Sequence, residues 1–127
     1  MTTFFVLEYS SNIDSESLNL QGLFEKLHQS AVNCGLFPLK GIRSRAYRAE
    51  DYRMADGNPQ HVFVHLSVLV GTGRSLQEKE SAAKGFFTVF EEHFAQSFER
   101  GSVAMSFEMR ELEPTLKYNK NNIQDYL

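Results

Sequence analysis

The sequence predicts an α/β (α+β) chain: two β-α-β halves in tandem, with two helices on one face of a four-stranded mixed sheet. Three observations carry this. Residues 62–70 (VFVHLSVLV) put Val62, Val64, Leu66, Val68 and Val70 on one strand face at period two, all aliphatic. After the turn Gly71-Thr72-Gly73, residues 75–98 open on Ser75 and Glu78 in the S-x-x-E pattern of a capping box. They carry Ala82, Ala83, Phe86, Phe87, Val89, Phe90, His93, Phe94 and Phe98 at helical spacing. The same order of strand, helix and strand is legible before them, over residues 4–47.

In chain order, FFVLEY (4–9) is a short β-rich run, and residues 10–17 are polar and turn-like. A helix is expected from an N-cap at Asn19 to about Asn33, with Leu20, Leu23, Phe24, Leu27, Ala31 and Val32 as its apolar stripe and Gly35 just past its end. Pro38 prevents continuation, and LKGIRSRAY (39–47) reads as a second strand with Arg43, Arg45 and Tyr47 on one face. Residues 48–60 are charged and end in the turn signal Asp56-Gly57-Asn58-Pro59. Gly101 closes the second long helix. Residues 102–112 form a last strand with Val103, Met105, Phe107 and Met109 on one face, and the tail from Lys117 is polar.

Crossovers of this length require parallel pairing within each half, right-handed by default. Two helices cover one sheet face. Nothing else in the chain covers the other, whose central strand mixes Phe63 and Leu69 with His61, His65 and Ser67, a composition that suits a subunit interface or a pocket wall.

At 127 residues the chain is read as one domain, 1–127, with halves of about 1–57 and 58–127, long enough to bury a core without disulfide or metal staples. A formal net charge of -3 argues against nucleic acid as a partner. No apolar run approaches the roughly 20 residues needed to span a bilayer, so no membrane association is expected. The opening MTTFFVLEYSS lacks a basic segment and a long apolar one, so no secretory signal is read there. With one cysteine, Cys34, a cytoplasmic, reducing setting is expected.

Metal chemistry is not expected. His61 and His65 are four apart on a strand, about 13 Å, and Glu92-His93 has no further ligand at helical spacing. Gly71-Thr72-Gly73 lacks the third glycine of a dinucleotide fingerprint and reads as a strand-to-helix turn. The arginines say more. Arg74 sits at a helix N-terminus, where the dipole opposes a cation, and a bound carboxylate would justify it. Arg43 and Arg45 leave one face of a strand expected to be internal and covered. Covered arginines need partners, either a ligand or structural carboxylates such as Glu8, Glu108 and Glu111.

At these residues the chain resembles the 5-carboxymethyl-2-hydroxymuconate isomerase family of the tautomerase superfamily. The matching segments are Gly35–Leu39 running into Gly41–Arg45, Met54–Gly57, Phe63–His65, Gly71–Leu76, Ser106–Glu108, and Pro114–Leu116 with Asn121-Asn122. The resemblance implies a tandem β-α-β subunit assembled as a homotrimer, without cofactor. It implies an activity in the catabolism of aromatic compounds that moves a proton between carbon positions of a small unsaturated dicarboxylate. The general base implied is the amine of an N-terminal proline, which would accept a proton near neutral pH. Arg43 and Arg74 match the substrate-binding arginines, and Arg45 belongs to the same segment. The chain departs from the family at its start, Met1-Thr2-Thr3-Phe4, which holds no proline. Gap-free alignment puts Thr3 at the proline position, and a one-residue bulge would put Thr2 there. If Met1 is removed and Thr2 is equivalent, a primary amine stands in for the secondary one. If Thr3 is equivalent, no free amine reaches the point of catalysis, and a carboxylate-binding homologue with weakened or lost activity results.

Overall fold

The protein is described by a computed structural model over residues 2–127. Four strands, β1 (Thr3–Ser10), β2 (Ile42–Ala49), β3 (Val62–Val70) and β4 (Val103–Glu111), form one sheet in the order β2-β1-β3-β4. β1 pairs β2 in parallel and β3 pairs β4 in parallel, while the central β1 and β3 run antiparallel. The two parallel pairs are what the long crossovers demand. The connecting helices are α2 (Leu20–Asn33) and α3 (Leu76–His93), with a one-turn helix α1 (Ser15–Leu18) before the first and a short α4 (Ala95–Arg100) after the second.

The core lies between helices and sheet. Period two in the central strands buries Phe5, Leu7, Val64, Leu66, Val68 and Val70, and period 3.6 in the helices buries Leu23, Leu27, Ala31, Ala82, Phe86 and Phe90 against them. Phe86 is the hub. Its ring stands edge-on to Phe5 at 5.0 Å and tilted to Phe37 at 5.7 Å.

The caps follow the sequence. Asn19 accepts from Gly22 N–H at the start of α2, and Ser75 with Glu78 forms both bonds of the capping box. Gly35 takes φ +74° just past the end of α2.

Five expectations need correction. Residues 15–18 are not a turn but α1, capped by Asp14. The second strand starts at Ile42, because Leu39–Gly41 closes a 3-10 turn behind Pro38. The long helix breaks at Phe94, whose ring is buried against Phe90, so Phe98 emerges about half exposed on α4; Val32 is exposed likewise. Most consequentially, β2 is an edge strand. Arg43 and Arg45 are exposed on the sheet face without helices, not covered.

That open face carries Phe4, Val6 and Glu8 from β1, Phe63, His65, Ser67 and Leu69 from β3, and Ala104, Ser106, Glu108 and Arg110 from β4. The tail is tied down rather than free. Leu112 N–H donates to Val70 O, and Asn121 reaches Lys40 O at 2.8 Å, so the chain passes from β4 to the start of β2 across one end of the sheet.

Candidate active site

At that end β1 begins. Thr3 pairs with Ile42 on one side and with Val70 on the other, so the opening residues are flanked by the start of β2 and the end of β3. Thr2 and Thr3 are buried, at 4% and 1% exposure. The amine of Met1 lies outside the described residues. Arg43 is one residue into β2, directly beside Phe4, and Arg45 lies beside Val6. Arg74 leaves the same end four residues after Val70.

The two β2 arginines share one platform. The guanidinium carbons of Arg43 and Arg45 lie 5.2 and 5.0 Å from the centroid of the Phe4 ring. The π-face draws both cations to one side of the sheet, with their donors free to turn outward. Arg74 is held differently. Nη1 donates to Gly71 O at 3.0 Å, Nη2 donates to Leu36 O at 2.8 Å, and the head lies 4.3 Å from the buried Phe37 ring. Burial pulls its pKa below the usual arginine value, while Cys34, Glu78 and Glu111 act the other way.

None of the three arginines meets a carboxylate at ion-pairing distance among the described residues. Glu108 faces His65 and Arg110, and Glu111 faces Lys79. The structural carboxylates considered from the sequence are therefore not their partners. The end of the sheet where β1 starts holds three guanidinium groups uncompensated at close range, a field that favours a small anion.

Within one chain the three are not in a single cleft. Arg43 and Arg45 lie on the open face over Phe4, and Arg74 lies at the helix layer over Phe37. Thr3 is the element between them. Sequence reasoning missed Phe4 and Phe37 as the supports. The parallel register that puts Phe4 beside Arg43 is a tertiary fact, and only the run Phe37-Pro38 next to the GIRSR segment hinted at the other.

Among the described residues no three His, Cys, Asp or Glu side chains converge as a metal site. Further along the open face His65 joins three groups, with Nδ1 2.6 Å from Ser106 Oγ and Nε2 3.1 Å from Ser67 Oγ and 3.5 Å from Glu108.

Two parallel β-α-β units joined through antiparallel central strands, with arginines around the start of the first strand, define a tautomerase-superfamily fold. Solved structures of that fold align over nearly the whole chain. One is N1, a member of the cis-3-chloroacrylic acid dehalogenase family (TM-score 0.64, 13% identity, 93% of this chain and 82% of that one), and another is a fused 4-OT trimer (TM-score 0.63, 12% identity, 92% and 91%).

Within that fold, the chain belongs to the 5-carboxymethyl-2-hydroxymuconate isomerase family, whose sequence profile matches residues 3–127. It is 40% identical over 119 residues to 5-carboxymethyl-2-hydroxymuconate Delta-isomerase of Escherichia coli, covering 94% of each chain. A crystal structure of a 5-carboxymethyl-2-hydroxymuconate isomerase from Deinococcus radiodurans R1 aligns with TM-score 0.90 at 34% identity, over 98% of this chain and 92% of that one. The protein is accordingly an isomerase of the tautomerase type.

Proposed function

We propose that this isomerase acts without cofactor on small unsaturated dicarboxylates such as 5-carboxymethyl-2-hydroxymuconate, moving a proton between carbon positions. The observation that carries the reading is the set of uncompensated guanidinium groups around the start of β1. Arg43 and Arg45 clamp one carboxylate from the open face. Arg74, fixed by two main-chain carbonyls, keeps its remaining donors for the other end of the acid or for its carbonyl oxygen. The base is the chain's own α-amine, presented by Thr2 once Met1 is removed; partial burial among cations would keep it neutral enough to accept a proton. A homotrimer supported by the open face, with its mix of Phe4, Val6, Phe63 and Leu69 around polar groups, would bring the β2 arginines of one copy and the sheet end of another around one guest.

The test is ketonisation of a 2-hydroxymuconate-type acid by protein whose first residue is fixed by intact mass. Turnover by the form that begins at Thr2, lost in Arg43→Ala and Arg74→Ala, is expected. No rate above buffer from that form would overturn the reading. The replacement of the family's proline by threonine favours one second reading, a trimeric carboxylate-binding homologue with weak or no turnover. Under it the same acids bind, and both arginine variants abolish binding.

A further inference from the structure

We propose that the opposite end of the sheet carries a separate acyl-transfer centre for small carboxylic esters, with Ser102 as nucleophile, His61 as its base and Asp56 as the carboxylate that orients the base. Ser102 Oγ lies 2.6 Å from His61 Nδ1, and Asp56 Oδ1 lies 2.8 Å from His61 Nε2. The tautomer that satisfies both contacts carries its proton on Nε2 and leaves the Nδ1 lone pair facing the hydroxyl, as nucleophile activation requires.

Three further features point the same way. Asp56 is fixed before it meets His61: its carboxylate accepts from Asn58 N–H at 3.1 Å, and this bond with His61 holds its pKa below the usual value. Asn12 clamps the carbonyls of Pro59 and His61, at 3.1 and 2.7 Å, so the segment bearing the imidazole is anchored to the sheet end. β4 is an edge strand, and Val62 N–H donates to Ser102 O. The alternation of a parallel ladder then turns the Val103 N–H outward, away from β3, unpaired among the described residues and next to the nucleophile. A donor in that position serves a developing oxyanion.

Ser102 is exposed and borders two clefts. One, of about 400 Å³, is walled by Met54, Ala55, Val103 and Ala104 and suits a short acyl chain. The other, of about 580 Å³, is the more polar and reaches Asp14, Ser17 and Arg100.

The step balances without further reagents. Ser102 Oγ bonds to the ester carbonyl carbon as its proton passes to His61 Nδ1. The carbon–alkoxy bond breaks, and the alcohol leaves with that proton. Water, deprotonated by the same nitrogen, then attacks the acyl carbon; the carboxylic acid departs and Ser102 recovers its proton.

The test uses the full chain and p-nitrophenyl acetate, reading nitrophenolate release and the acetyl adduct by mass spectrometry of peptides. An adduct on Ser102 is expected, with release reduced at least about 100-fold in Ser102→Ala and in His61→Gln. Asp56→Asn should lower release with less change in KM than in kcat. Ketonisation should be unchanged in Ser102→Ala, which also reports that the variant is folded. Equal release by Ser102→Ala, or acetyl groups only on lysines or the α-amine, would overturn the proposal.

Discussion

Nη2 of Arg74 donates to the main-chain carbonyl of Leu36 across 2.8 Å, tying the loop that follows β3 to the loop that precedes β2. With the bond to Gly71 O and the Phe37 ring beneath, the guanidinium is a structural rivet as well as an anion-facing group. Arg74→Ala should therefore lower stability by roughly 2–3 kcal/mol, read by chemical denaturation. Arg74→Lys should recover little of it, since a point charge cannot serve two carbonyls and a ring face at once. A variant as stable as the parent would show that the rivet is idle.

Phe4 should act through the two arginines it supports. Each contact with its ring is worth about 0.5–1 kcal/mol at an exposed site. Phe4→Leu, which keeps most of the apolar bulk, should weaken binding of a small dicarboxylate by up to about 5- to 30-fold. Phe4→Tyr should restore it. Titration calorimetry with both variants checks this, and equal weakening by Leu and Tyr would exclude the ring face as the cause.

His93 makes stability depend on pH. Burial holds its pKa below the ordinary histidine value, against the bond from Nε2 to Leu18 O, which favours the protonated ring, and with Lys26 Nζ, 3.0 Å from Nδ1, which disfavours it. His28, beside Ser44, is lowered by burial in the same way. Above about pH 6.5 both histidines are neutral, folded and unfolded, and no penalty exists. As pH falls below that value the unfolded chain takes up protons that the folded chain refuses, so stability declines until the folded pKa values are passed. His93→Gln should flatten the fall in Tm between about pH 7 and pH 5. An unchanged slope would mean that His93 titrates alike in both states.

The capping box is the most local prediction. Ser75 Oγ accepts from Glu78 N–H at 3.1 Å and the Glu78 carboxylate accepts from Ser75 N–H at 2.9 Å. Ser75→Ala should cost about 1 kcal/mol, seen as a shift in denaturation midpoint with unchanged slope.

What the sequence disclosed divides along physical lines. The capping box, the Asn19 cap and the aliphatic stripe of β3 are local or periodic features, and each stands where the residues put it. The exposure of Arg43 and Arg45 was not legible, because strand order decides whether β2 is an edge, and strand order depends on contacts remote in sequence. The break at Phe94 carries no local signal: the aromatic run keeps helical spacing on both sides of the residue where the backbone leaves the helix, at φ -104° and ψ 15°. His61 and Ser102 are 41 residues apart, and only the pairing of Val62 with Val103 makes them neighbours.

The antiparallel pairing of β1 with β3 has a last consequence. A half-turn about an axis between these strands exchanges the two β-α-β units, so each end of the sheet repeats the other's backbone: a central strand's first residue flanked by an outer strand's beginning and the other central strand's finish. Thr3, Ile42 and Val70 play these parts at one pole, Val62, Val103 and Ser10 at its twin. The strand pairing is thus even-handed, and the poles are told apart by what is added to it: guanidinium groups and the crossing tail at one, imidazole and hydroxyl at the other. Grafting the β2 arginines onto β4 would keep the strand pairing, whereas Arg74 would need its Gly71 and Leu36 carbonyls carried with it.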